Sequence, residues 1–136
     1  MIARFIRRRP WTLAVLGCAA GFFFLRASLP KLARWVPPCG FRRWTGWWCP
    51  GCGGTRCTMR LIHGDVAGAW AMNPLAMILG GAFAGWMLLG LVCEWRGRRM
   101  PAMPSWLAWF LPTLILVFWL ARNLPWWPFT LLAPHR

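Results

Sequence analysis

Residues 73–93 read NPLAMILGGAFAGWMLLGLVC, and the twenty positions from Pro74 to Cys93 hold no charged side chain. At a rise of 1.5 Å per residue, twenty helical residues cover about 30 Å, the thickness of a bilayer's hydrocarbon core. Asn73 suits the N-cap and Pro74 the first helical position, where its missing N–H costs nothing. This stretch therefore predicts a transmembrane helix over 74–93. Upstream, 11–29 follows Arg7-Arg8-Arg9 and predicts another. Its apolar run exceeds a signal-peptide core, and Arg26-Ala27-Ser28 is a poor cleavage site, so it reads as an uncleaved anchor. Downstream, 106–121 predicts a third, with Pro112 tolerated where neighbouring groups satisfy the freed carbonyl. The expectation is an all-α integral membrane protein, one domain over 1–136. It has three transmembrane helices, with short interfacial amphipathic helices over 37–72 between the first and second.

Composition agrees with that address. Mean hydropathy is +0.47 and 59% of residues are hydrophobic, too apolar for a soluble domain of 136 residues. Thirteen Trp suit the membrane–water boundary, where an apolar ring and a polar N–H are both accommodated. Sixteen Lys/Arg against two acids give a net charge of +14. No nucleic-acid motif accompanies these bases, and they flank apolar segments, so the expected partners are the bilayer and its anionic headgroups, with a membrane-protein partner as an addition. Gly17 and Gly21, and Gly81 and Gly85, form GxxxG patterns that predict close packing of the first two helices.

No catalytic set is assigned. The two acids, Asp65 and Glu94, lie at opposite ends of a transmembrane helix and cannot form a carboxylate pair in one chain. Neither Ser28 nor Ser105 sits in a nucleophile elbow. The histidines are His63 and His135, the latter beside the C-terminus.

Chemistry concentrates between the first two spans. Cys39 is followed by Cys-Pro-Gly-Cys-Gly-Gly-Thr-Arg at 49–56. Pro37-Pro38 breaks any helix before Cys39, and Trp35, Trp44, Trp47 and Trp48 anchor the segment at the interface. Residues 53–63 predict a short helix with Arg56, Arg60 and His63 on one face and Cys57, Leu61 and Ile62 mostly on the other. Gly64 ends it and Asp65 caps a second short helix over 66–72. Arg56 is a candidate ion-pair partner for Asp65. With the N-terminus inside, by virtue of the first basic cluster, the cysteine segment lies outside together with Arg122 and Asn123. That sidedness permits a polar cluster of Arg56, Asp65, Asn73, Arg122 and Asn123.

Cys39, Thr45-Gly46, the Cys49–Arg56 motif, Gly64-Asp65 and Asn73-Pro74 occur in an order that resembles the bacterial membrane domain-of-unknown-function family 2752. Arg122-Asn123-Leu124-Pro125 and Pro128-Phe129 resemble its tail. The resemblance runs from about Pro37 to the end. It implies a small multi-pass protein of the bacterial inner membrane with the cysteine segment between two helices, and it supplies no catalytic residue. Gly40 stands where a proline commonly follows the first cysteine, and Cys57 where a small apolar residue is usual.

Three readings of Cys39, Cys49 and Cys52 stand side by side. In an oxidising compartment, Cys39 bonded to Cys49 or Cys52 would close a loop and stabilise it by about 2–4 kcal/mol. A Cys-x-x-Cys at a helix start also makes a redox dithiol, its thiolate stabilised by helix N–H groups. Finally, three thiolates and a fourth ligand hold zinc, although the second Cys-x-x-Cys of the usual site is missing and Cys57 points about 140° away from Cys52. A c-type haem is excluded because Gly53 follows Cys52. The leading expectation is an accessory membrane protein with a disulfide-pinned cap, no resident cofactor and no metal. The alternative is a thiol oxidoreductase or zinc protein using Cys49 and Cys52. Thr55 and Arg56 complete the motif, and Cys18 and Cys93 read as buried apolar residues.

Overall fold

The computed structural model describes residues 9–32 and 39–134. Arg4, Arg7 and Arg8, Trp35, Pro37-Pro38 and His135 lie outside the described residues. The described chain is helical and contains no strand. Its elements are α1 (Pro10–Leu32), α2 (Gly40–Thr45), α3 (Gly54–Ile62), α4 (Val66–Met72), α5 (Pro74–Trp95), α6 (Leu107–Ala121) and a 3-10 turn, Phe129–Leu132.

Two helices are long and apolar enough to cross a membrane: α1 over Pro10–Ser28 and α5 over its 22 residues. The third expected span, α6, has 15 residues. At 1.5 Å each it covers about 22 Å, less than the roughly 30 Å of a bilayer core.

Local signals set most boundaries. Asp65 accepts the Gly68 N–H at 2.8 Å and caps α4. Asn73, in extended backbone, accepts the Ala76 N–H at 3.0 Å and starts α5 immediately after α4 ends. Pro74 occupies the first turn of α5. Gly64 takes a left-handed φ of 81°, turning α3 back onto α4. The α3–α4 hairpin encloses a small core of Cys57, Ala69 and Met72, with Ala76 and Met77 of α5 packed against it. The amphipathic pattern of 53–63 works here as a packing face: Cys57 and Ile62 turn inward, while Arg56, Arg60 and His63 are exposed.

α1 runs against α5, but not through the GxxxG patterns. A side chain built at Gly17, Gly21, Gly81 or Gly85 would meet nothing within 4 Å. The contact lies nearer the charged end of α5, where the Trp11 ring covers Gly90 so closely that a Cβ there would sit 2.4 Å from it. Glu94 completes the joint by accepting the Trp11 N–H at 2.8 Å, the Thr12 N–H at 3.3 Å and the Thr12 hydroxyl. A carboxylate from one helix thus caps the N-terminus of another, where orphan N–H groups favour negative charge. Two further expectations change. Cys18 is exposed and Cys93 half-buried, and neither belongs to the small core. Asp65 pairs with Arg60 at 2.7 Å rather than with Arg56, since the Gly64 turn swings it back to the end of α3.

Candidate thiol and metal centre

The motif begins as a turn. The Cys52 N–H donates to the Cys49 carbonyl at 3.1 Å and the Gly54 N–H to the Gly51 carbonyl at 2.9 Å, which leads the chain into α3. Gly53 sits at the joint with φ +85°, and a Cβ there would lie 2.6 Å from the Met72 carbonyl oxygen. Only glycine meets both demands. Pro134, buried near the end of the described chain, packs against the same point.

Cys39 stands at the N-cap of α2 and reaches the turn from the other side. Its Sγ lies 3.5 Å from that of Cys49, and Cys49 Sγ lies 2.8 Å from that of Cys52. All three sulfurs fall within 4.8 Å of one another, a set able to hold a metal ion. Cys39 and Cys49 are half-buried and Cys52 is buried. No disulfide joins the described cysteines, so the expected bridge is not seen: both short separations exceed the S–S bond length of about 2.05 Å.

What pins the segment instead is polar. Arg122, at the C-cap of α6, is 1% exposed. Its Nη1 donates to the carbonyls of Cys49 (3.1 Å) and Pro50 (3.2 Å), and its Nη2 to that of Cys52 (3.3 Å). Asn73, equally buried, donates through Nδ2 to the carbonyls of Pro50 (3.0 Å) and Cys52 (3.3 Å). Asn123 accepts the Trp48 N–H at 2.7 Å and donates to the Trp48 carbonyl at 2.9 Å, pairing with that residue as a strand would. Aromatic rings wall the cluster: Trp119 contacts Phe41 and Trp47, and the Arg42 guanidinium lies 3.0 Å from the Trp48 ring centre.

Cys39 and Cys52 are electrostatically unlike. The Arg42 N–H at the start of α2, followed by the neighbouring thiols, lowers the Cys39 thiol below its ordinary value. Burial pushes Cys52 up to about 12 and also raises Cys57. Burial lowers Arg122, while the charges of Cys52 and Cys49 act in the opposite direction.

The structure thus brings together Cys39, Cys49, Cys52, Asn73, Arg122 and Asn123. It leaves the other sequence candidates outside: Thr55 and Arg56 are exposed on the first turn of α3, and Asp65 serves the far end of the hairpin. Cys57 faces the Asn73 carbonyl at 4.0 Å within the apolar core, not the sulfur cluster. Sequence reasoning missed the part played by Trp48, whose backbone Asn123 grips, and the packing of Pro134. Neither has a local signal.

No curated protein and no solved structure matches the chain. Residues 39–87, which carry the three cysteines and Asn73 but not Arg122 or Asn123, match the model of the family described as "Protein of unknown function (DUF2752)", the family that the motif order resembles.

Proposed function

We propose that this chain is a small accessory protein of the bacterial inner membrane whose cap holds a soft metal ion, zinc before others, on Cys39, Cys49 and Cys52. The carrying observation is the convergence of three sulfurs within 4.8 Å from two separate parts of the chain. Soft thiolates favour zinc, cuprous ion and similar metals over hard cations. Tetrahedral zinc, with Zn–S near 2.3 Å, asks for sulfurs roughly 3.8 Å apart. The Cys39–Cys49 separation of 3.5 Å is close to that, and the 2.8 Å Cys49–Cys52 pair would open by about 1 Å.

The membrane setting rests on apolar surface that no described residue covers. None of the α1 apolar window and 17% of the α5 window is buried. Leaving so much apolar surface in water would be costly, and lipid removes that cost. α6 crosses as the third span, the bilayer thinning around its shorter apolar length. The N-terminus lies in the cytoplasm and the cysteine cap outside.

A second reading is favoured by the 2.8 Å pair itself. Cys49 and Cys52 would pass two electrons and two protons to an acceptor disulfide and become bonded, with Cys39 able to attack Cys49 in turn. One experiment separates the readings. The full chain is purified anaerobically in mild detergent, and its metal content and free thiols are measured. The metal reading expects about one zinc per chain, lost in Cys49→Ser and kept in Cys57→Ser. Absence of metal with thiols that cycle reversibly supports redox chemistry. Absence of metal with a permanent disulfide leaves a purely structural cap.

A further inference from the structure

We propose that Arg122 is the internal counter-ion of the three-thiolate centre, so that total charge as well as sulfur donors selects what the site holds. This rests on the metal reading above. The argument starts from a cation buried without a carboxylate. Arg122 is 1% exposed, and burying a charge is expensive unless it is compensated. The whole sequence has two acidic side chains. Asp65 is engaged with Arg60 and Gly68, and Glu94 with the start of α1. Among the described residues, the hydrogen-bond partners of the Arg122 guanidinium are three neutral carbonyls. The Phe118 ring lies 5.0 Å away, and the buried Nε has no partner among the described residues.

Carbonyl dipoles soften that charge but do not cancel it. The groups able to do so lie on the turn the guanidinium grips. Cys49 and Cys52 each hold Arg122 through the backbone, and their sulfurs belong to the metal-ligating trio. Three thiolates with a divalent ion carry one surplus negative charge, which Arg122 neutralises. With a cuprous ion the sulfur complex carries two negative charges. With arsenic(III) it carries none, because arsenous acid and three thiols condense to an uncharged trithiolate and three waters.

Arg122 therefore stabilises these loads unequally: cuprous most, zinc less, arsenic(III) hardly at all. Arg122→Gln removes the charge but keeps a donor for the carbonyls. The full chain in detergent is titrated with Cu(I), Zn(II) and arsenite against chelators or dithiols of known affinity. In Arg122→Gln, zinc affinity should fall about tenfold or more, cuprous affinity by at least a further tenfold, and arsenite affinity by less than about threefold, the order expected when a buried guanidinium bound to the carbonyls of two ligand residues loses its charge. An equal loss for all three ions would mark Arg122 as a structural clamp and overturn the proposal. Arg122→Lys keeps the charge with fewer donors, so the ratios among the three ions should stay within about threefold of the parent chain even if every affinity drops. Should Arg122→Gln fail to fold, altered ratios in Arg122→Lys overturn the proposal by themselves. A parent chain that binds none of the ions overturns the metal reading, and this inference with it.

Discussion

Asn73 uses its two amide atoms for different elements. Oδ1 caps α5 through the Ala76 N–H, and Nδ2 reaches back to the carbonyls of Pro50 and Cys52. A residue placed to start a long apolar helix therefore also fixes the cysteine turn. Asn73→Ala should destabilise the protein by about 2–3 kcal/mol, summing a lost N-cap and lost hydrogen bonds to buried carbonyls. Asn73→Ser restores the cap oxygen but is too short for the carbonyls, so it should recover about 1 kcal/mol. Unfolding in detergent by heat or denaturant measures both. Equal losses in the two variants would mean that the cap contributes nothing. Arg122 obeys the same logic with a charge added, and its position was only partly legible. An Arg-Asn pair ending an apolar helix hints at an inward polar contact, but nothing nearby in sequence names Cys49, Pro50 and Cys52 as its targets.

At the scale of elements, the α3–α4 hairpin and the start of α5 were readable because their signals are contiguous. Gly64, Asp65, Asn73 and Pro74 each act within a few residues, through a left-handed turn, two caps and a fixed φ. Asp65 makes one of these signals dependent on pH. The Gly68 N–H first, and Arg60 second, hold its carboxyl below the usual carboxylate range. The folded hairpin therefore binds fewer protons there than the unfolded chain. The contribution is fully present above the ordinary carboxylate value and is lost as pH falls through the lower, folded one. Asp65→Asn keeps a cap oxygen without titrating or pairing with Arg60. Its melting temperature should lie slightly below that of the parent near pH 6, and the gap should close below about pH 4. A gap constant from pH 3 to pH 7, followed by thermal melts, would refute this account of Asp65.

At the scale of the whole molecule, the joint between α1 and α5 was not where small-residue spacing put it. GxxxG marks where two backbones can approach, but Gly17, Gly21, Gly81 and Gly85 meet no neighbour. The helices are held where Trp11 covers Gly90 and Glu94 takes the free N–H groups of α1. Gly90→Val should expel the Trp11 ring and cost about 1–3 kcal/mol as an overpacked contact, while Gly81→Val should be neutral within about 0.5 kcal/mol. Combining Gly90→Val with Trp11→Ala should be markedly less than additive, because the two changes share one contact. Melting curves of Gly90→Val, Trp11→Ala and the double variant decide it, and additive losses would show that the ring and the glycine do not support each other.

Sequence alone determined the helical class, the long apolar helices α1 and α5, the boundaries at Asp65, Asn73 and Pro74, and the motif at 49–56 that supplies two of the three clustered cysteines. Each depends on hydrophobic length or on groups a few residues apart, and such interactions are written in order along the chain. The tertiary structure decided the rest. Cys39 meets Cys49 ten positions on, Arg122 and Asn123 grip a turn more than seventy residues upstream, and Glu94 caps a helix more than eighty residues before it. Such contacts form only when separate helices are brought side by side, and no local period encodes which polar group a buried guanidinium or carboxylate will meet.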